Sequence, residues 1–513
     1  MVMNIAQNVE RGAKFVPNKS AILFESKTFT YQELNERVNR AANGLRTLGV
    51  SKGDRVALFL PNIPEFVFVY LGIQKLGAIA VSISAALKSD EVKFILNDCT
   101  ASVIVTTEEL VQNVPIDDLA YLQHILIAEG ETTVGKSLAT LMAASSPELQ
   151  AAKMERDDPA AILYTSGTTG FPKGAVLSHG NVISNMYSVN YSCGMRNDDK
   201  LLLYLPLFHC FGQNFILNAG LNACATIVLQ RRFDPEKVFE AITREKITMF
   251  FGVPTVFIRM LEMFPDYDFS SIRFNFSAAA PMSPEIVRRW QKKHGQVIYE
   301  GYGLTETSPF AAYNHPMQYK FGSVGMPIPN VEMKVVDEED KEVSLGEVGE
   351  LVIRGPNVML GYWKRPEVNA EVIKNGWFYT GDLGWMDEDG YFYIADRLKD
   401  MINLSGFKVY PSEVERVFYQ HPEVSEVAVY GVPHPTKGEM VKANVCLKEG
   451  CSVTVEELQA FCEEHIANYK VPKVIELVTS FPKNPTGKIL KRVLRQQNIR
   501  KIASKNKPVA FAN

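Results

Sequence analysis

The chain has 513 residues, 46% of them hydrophobic and 22% charged, and carries a formal net charge of −4. That length suggests about three domains or subdomains, each able to bury a core. The near-neutral balance gives no general electrostatic reason for nucleic-acid binding, so any phosphate site must be local. The seven cysteines, Cys99, Cys193, Cys210, Cys224, Cys446, Cys451 and Cys462, are scattered and free of C-x-x-C spacing. This argues against a disulfide framework and a zinc site and fits a reducing cytoplasm. Met1 to Phe15 lacks a continuous apolar stretch, and Phe66 to Val81 is interrupted by Gly72, Gln74, Lys75 and Gly77. Neither a signal peptide nor a membrane span is expected.

In chain order, helix patterning over Thr30 to Leu48 gives way to a strand at Arg55 to Leu60. A helix at Pro64 to Leu76 and a strand at Ala101 to Thr106 follow. The apolar run Ala160 to Tyr164 then enters Thr165-Ser166-Gly167-Thr168-Thr169-Gly170-Phe171-Pro172-Lys173-Gly174. Glycines allow close backbone approach, hydroxyls add donors and Lys173 adds positive charge, so this reads as a strand running into a phosphate-binding loop for a nucleoside triphosphate. Walker A spacing fails because Pro172 stands where its second glycine belongs, and no G-x-G-x-x-G opens a helix here. The competing reading is a flexible Ser/Thr/Gly surface loop.

Strand patterns at Ala225 to Leu229 and Met249 to Val253, with a helix at Pro235 to Lys246 between them, continue the alternation expected of α/β structure with parallel sheets. After about Ser323 the texture changes to short strands, Val331 to Val336, Glu350 to Arg354 and Gly390 to Ile394, with Asp387-Glu388-Asp389-Gly390 as a hairpin turn. The charged run Asp396 to Asp400 marks a second boundary. Beyond it, a helix at Pro411 to Tyr419, a strand at Glu426 to Tyr430 and a helix at Val455 to His465 suit a small α/β domain. The tail from Lys501 to Asn513 is expected to fray. The expected division is therefore a large domain over 1–395 of stacked α/β subdomains with a β-rich part from about 323, a hinge at 396–399, and a small mobile α/β domain over 400–513.

Six segments occur in a recognisable order: Tyr164 to Gly174, Gly301-Tyr302-Gly303-Leu304-Thr305-Glu306, Tyr379-Thr380-Gly381-Asp382, Asp396-Arg397-Leu398-Lys399, Ser405-Gly406-Phe407-Lys408-Val409-Tyr410-Pro411, and Pro482-Lys483-Asn484-Pro485-Thr486-Gly487-Lys488. From Phe29-Thr30-Tyr31 through Lys488 the chain resembles the adenylate-forming acyl-CoA synthetases, the AMP-binding superfamily, and looks closest to bacterial fatty-acid CoA ligases. The resemblance implies two half-reactions: a carboxylate attacks the α-phosphate of ATP to give acyl-AMP and pyrophosphate, and the thiol of CoA then displaces AMP. Attacker and triphosphate are both anionic, so cations and oriented donors must relieve charge repulsion.

By the same resemblance, Ser166, Gly167, Thr168, Thr169, Gly170 and Lys173 would hold phosphates, and Thr165 with Glu306 would hold Mg²⁺, whose preference is for hard oxygen ligands. Ala279, Ala280, Pro281, Gly301, Gly303 and Thr305 would shape the nucleotide pocket, with Tyr302 stacked on adenine. Asp382 would accept from the ribose hydroxyls and Arg397 would contact ribose or phosphate. Lys488 would bridge the acyl carboxylate and the α-phosphate. Rotation about Asp396 or Lys399 would exchange Lys488 for the face bearing Gly406 and Lys408. Read without the resemblance, Glu306 is a solvated or capping carboxylate, Tyr302 a core aromatic, Asp382 a turn residue, Asp396–Arg397 a surface pair and Lys488 one more surface lysine.

Acyl selectivity would reside in His209, Phe211, Gln213, Val253, Ser277, Ala278 and Gly303, which suggest an apolar cleft without a cation for a second carboxylate or an acid for an amino group. A medium- to long-chain fatty acid is the expectation. Arylpropenoic acids stay open, because Ser277-Ala278-Ala279-Ala280 replaces a more glycine-rich segment and Val81-Ser82-Ile83-Ser84 departs from Val-Pro-x-Asn. A ligase loading the phosphopantetheine of an acyl carrier protein is a second reading, weakly disfavoured by the compact spacing from Glu306 to Gly322. A noncatalytic nucleotide-binding protein and a luciferase-like oxygenase are others. Oligomeric state and peripheral membrane contact are not fixed by these motifs.

Overall fold

The helix Tyr31–Thr47 starts where Thr30 and Glu33 cap each other: Thr30 Oγ1 accepts from Glu33 N at 3.2 Å, and Glu33 Oε2 accepts from Thr30 N at 2.8 Å. The helix Pro64–Leu76 is apolar on nearly every face and is buried to match, and it stops at Gly77, whose φ of 70° suits a left-handed C-terminal cap. These elements belong to a computed structural model that describes residues 3–131, 134–165, 172–263, 268–280, 282, 284–404, 407–434, 438–483 and 489–505.

Two large sheets, each with a parallel centre, carry the N-terminal part. One is eight-stranded and runs from Gly361–Tyr362 through Lys173–Ser178, Pro159–Thr165, Ile79–Ile83 and Arg55–Phe59 to Lys136–Ser137. The other is nine-stranded, with Ile298–Tyr302, Phe274–Ser277, Met249–Gly252, Lys200–Leu203 and Thr226–Leu229 parallel at its centre. Strands covered by helices on both faces read as continuous apolar runs, which is why 55–60 and 249–253 were legible in the sequence. A five-stranded antiparallel sheet follows, built on Glu332–Val336, Gly349–Arg354, Trp377–Met386 and Phe392–Arg397. A second five-stranded sheet belongs to the C-terminal part; it is mixed, with Gly438–Leu447 antiparallel to Val424–His434 and parallel to Val474–Leu477.

The α/β expectation holds, with a large N-terminal and a smaller C-terminal part. One hydrophobic core extends from Ile5 to Phe392, whereas Ile402 to Ile475 contribute to a separate one. Several local expectations change. The phosphate-loop strand is one arm of an antiparallel hairpin, Pro159–Thr165 against Lys173–Ser178, with Thr165 opposite Lys173. The strand expected from Gly390 starts at Phe392, because Gly390, with φ of 82°, still belongs to the turn. It also runs on through Asp396 and Arg397, which pair with Leu383 and Asp382, so these two residues are strand and the following bend is Leu398–Asp400. Finally, Lys491–Lys505 is a helix and reaches into the tail expected to fray. Its polar, basic sequence hides it, since among its described side chains only Leu494 and Asn498 are buried.

Candidate active site

Three strand ends and one tight turn bring the polar residues together. Tyr302, last residue of Ile298–Tyr302, donates its hydroxyl to Asp382 Oδ2 at 2.8 Å. Asp382 Oδ1 lies 3.0 Å from Arg397 Nε, a contact set by the strand register that places Asp382 opposite Arg397. The strand irregularity before Asp382 is tied down: Thr380 Oγ1 donates to Leu351 O at 2.7 Å and accepts from Asp382 N at 3.0 Å. Burial, reinforced by Asp382, pushes the Tyr302 phenol well above its ordinary range. Desolvation, the largest single influence, works against the Arg397 cation, but Asp382, Tyr302, Asp400 and Glu306 together outweigh it and raise the guanidinium pKa.

Glu306 sits in the short turn Thr305–Thr307 and is 7% exposed. Its carbonyl accepts from Met359 N at 2.8 Å, and the flanking carbonyls of Thr307 and Phe310 are held by both Asn185 and Asn357. The Glu306 carboxylate accepts from Tyr362 Oη at 2.7 Å, and Lys173 Nζ lies 5.6 Å from the centre of the Tyr362 ring. Arg397 joins the two groups electrostatically, because its cation interacts with both Tyr302 and Glu306. Close packing requires Gly303: a Cβ there would stand 1.6 Å from Pro309 O.

The structure therefore brings together Thr165, Lys173, Gly303, Thr305, Glu306, Tyr302, Asp382 and Arg397. Ala279 adopts φ of 71°, a conformation an alanine rarely takes, in the segment that includes Ala280 and follows Ser277. Gly301 packs where a Cβ would meet Phe276 and Phe310. Ser166, Gly167, Thr168, Thr169, Gly170, Pro281, Gly406 and Lys488 lie outside the described residues.

Of the acyl-side residues, His209 is half-buried, accepts from Phe211 N at 3.2 Å, and is pushed down to about 4 by burial, so it is neutral at physiological pH. Phe211 opens the π-helix Phe211–Asn218, and a wider helical turn of this kind often marks a functional segment. Gln213 is fully buried and donates to Ser82 Oγ at 2.7 Å and to Leu207 O at 3.1 Å. It thus ties the π-helix to Ile79–Ile83. Val253 and Ser277 are buried as well, and Ala278 is half-buried. Lys408 is exposed and pairs with Glu338 at 3.4 Å, away from the site in this domain arrangement. Asp396 accepts from Ser412 N at 2.8 Å at the start of the helix Pro411–Phe418, and Lys399 is exposed, its pKa lowered by partial desolvation and by Arg397.

The profile described as "AMP-binding enzyme" matches residues 9–363, and the one described as "AMP-binding enzyme C-terminal domain" matches 413–488. The chain belongs to the AMP-binding enzyme family. A relative in this family, a long-chain-fatty-acid–CoA ligase of Escherichia coli O157:H7, is 37% identical and aligned over 95% of this chain and 93% of its own. Among solved structures of the family, an anthranilate CoA ligase in complex with anthranoyl-AMP superposes with a TM-score of 0.93 at 32% identity, covering 98% of both chains. ATP-bound MatB from Rhodopseudomonas palustris superposes with a TM-score of 0.90 at 33% identity, covering 96% of this chain and 99% of that one.

Tyr362 escaped the sequence reading. It lies in Gly361–Tyr362, a two-residue strand remote in sequence from every other site residue, and its signal there was only an aromatic pair, Tyr362-Trp363, before Pro366. Asp98 was equally silent. Its carboxylate accepts from Tyr164 Oη at 2.6 Å and pairs with Arg365 at 2.7 Å, binding the residue before Thr165 to the segment after Tyr362.

Proposed function

We propose that this family member is an ATP-dependent fatty-acid CoA ligase that forms an acyl-adenylate and then a thioester. The observation that carries the proposal is the meeting of Tyr302–Asp382–Arg397 with Glu306–Tyr362–Lys173, which sets two cations beside two carboxylates and an aromatic face. In that reading Asp382 accepts from the ribose, Tyr302 covers the adenine, and Lys173 and Arg397 lower the repulsion between the incoming carboxylate and the triphosphate. Lys488, beyond the described residues, would complete the charge compensation at the α-phosphate.

The residues present suit a divalent cation. Among the described residues Glu306 is a nearly buried carboxylate with no cation within salt-bridge distance, a costly state that a metal would relieve. No group of three or more His, Cys, Asp or Glu side chains able to hold a metal occurs among the described residues. Glu306 with Thr165 would therefore hold Mg²⁺ whose remaining ligands come from water and phosphate, and the ion would neutralise charge on the triphosphate. The rest is done by the chain's own groups: Gly303 lets the turn close and Gln213 and Ser82 hold the acyl-side helix.

An apolar acid is supported by the acyl side, where His209 is neutral. A second reading, an aryl acid, draws support from the ring cluster beside it, in which Phe215 stacks on Phe276 at 4.9 Å and Phe211 meets Phe215 edge-on at 5.2 Å. CoA is the proposed acceptor, with a carrier-bound phosphopantetheine as its competitor. Mass spectrometry of products from protein, ATP, Mg²⁺, CoA and graded fatty and aryl acids tests all of this. Acyl-CoA from a fatty acid is expected, with Lys488→Ala unable to adenylate yet able to convert supplied acyl-AMP. Acyl-AMP without acyl-CoA would displace CoA, and products only from aryl acids would displace the fatty-acid reading.

A further inference from the structure

Tyr362 is held more firmly than an edge-strand side chain requires. Its N–H donates to Asn369 Oδ1 at 2.6 Å and its carbonyl accepts from Asn369 Nδ2 at 3.0 Å. On either side, Leu360 N donates to Val176 O at 2.9 Å and Trp363 N to Gly174 O at 2.8 Å, so the strand is bolted to Lys173–Ser178. Trp363 Nε1 donates to Asp98 O at 3.1 Å, and Arg365 pairs with the carboxylate that also receives Tyr164. One frame thus fixes Tyr362 relative to Thr165 and Lys173.

The phenol and the ring face two different groups of the candidate site. The hydroxyl donates to Glu306 Oε1 at 2.7 Å, leaving Oε2 for another partner, and the ring lies under the Lys173 ammonium at 5.6 Å. A cation over an aromatic face is attracted to it without losing its hydrogen-bonding capacity, so Lys173 is retained in place but kept available. A neutral donor on one carboxylate oxygen fixes the carboxylate rotamer without cancelling its charge, as outer ligands of metal-binding carboxylates do.

We infer that Tyr362 is a positioning residue for the metal-binding carboxylate, its hydroxyl orienting Glu306 while its ring stations Lys173 for the phosphates. The inference rests on the ligase reading for the identity of the nucleotide, but not on the acid used. If Tyr362 merely filled the strand edge, removing one oxygen from it would leave metal binding unchanged.

The test uses the full chain as wild type, Tyr362→Phe and Tyr362→Leu. Mn²⁺ binding is read by electron paramagnetic resonance in the presence of a non-hydrolysable ATP analogue, alongside the Mg²⁺ concentration giving half-maximal pyrophosphate release and the melting temperature without ligands. Tyr362→Phe is expected to weaken Mn²⁺ about tenfold, the low end for a lost hydrogen bond to a charged group. The Mg²⁺ requirement should rise in parallel, while the melting temperature without ligands stays near wild type. Tyr362→Leu should in addition slow pyrophosphate release at saturating Mg²⁺, because Lys173 loses its platform. Mn²⁺ affinity of Tyr362→Phe within twofold of wild type, or tighter, overturns the inference. If wild type releases no pyrophosphate with any acid, the ligase reading falls, and the Mn²⁺ titration still decides the role of Tyr362.

Discussion

Replacing Asp382 by Asn tests the nucleotide site with little change of shape. Asp382 is 5% exposed and faces two donor groups: it accepts from Tyr302 Oη and forms an ion pair with Arg397 Nε at 3.0 Å. Asparagine keeps one acceptor oxygen but turns an NH₂ towards one of these donors, so one contact becomes donor against donor, and the charge facing Arg397 disappears. A hydrogen bond to a charged group contributes about 1.5 to 3 kcal/mol. The Arg397 side chain is 41% exposed, so its part is screened and the lower figure applies. With the proposed ribose contact weakened as well, the expected loss is about 3 kcal/mol, or roughly 100-fold in kcat/KM for ATP. Pyrophosphate release at varied ATP and saturating acid measures it, with a melting curve to confirm that Asp382→Asn is folded. A loss under threefold in a folded protein would refute the assignment of Asp382 to nucleotide binding.

Gly303→Ala should lower kcat/KM for ATP at least tenfold, because its Cβ would meet the backbone of Pro309; activity above a third of wild type would show that the turn can yield. Lys75→Met should destabilise the fold by about 3 kcal/mol. Lys75 is 1% exposed, and its Nζ donates to Glu10, Asn35, Asn39 and Leu149 O, all of which lose their partner; urea titration reads the loss, and one below 1 kcal/mol would show that these groups find water. His179, fully buried with Nδ1 accepting from Ile5 N, is depressed by burial from 6.5 to about 4. Its folded pKa is the lower one, so stability is complete above pH 6.5 and is lost as pH falls from 6.5 towards 4, by on the order of 3 kcal/mol from this residue. The urea midpoint measured between pH 7 and pH 4.5 should drop less steeply in His179→Gln than in wild type, and equal slopes would contradict it.

What the chain disclosed without a structure was what is encoded locally. Thr30 and Glu33 announce a helix start three residues apart, Pro64 and Gly77 bracket a helix, and apolar runs such as Met249 to Gly252 mark strands buried on both faces. The glycine- and threonine-rich loop and the segments around Tyr302, Glu306, Asp382 and Arg397 announce the family because their chemistry is compressed into short motifs. Tertiary structure alone decided what meets what. Register across an antiparallel pair sets Asp382 against Arg397, and pairing of Gly361–Tyr362 onto Lys173–Ser178 delivers a tyrosine to a glutamate 56 residues away. The helix Lys491–Lys505 is another such case, since its Arg495 pairs with Asp400 at 2.8 Å while its own sequence shows no apolar stripe. Local composition carries propensities and caps, but a contact between remote residues depends on sheet order and strand register, which arise only when the whole core is packed.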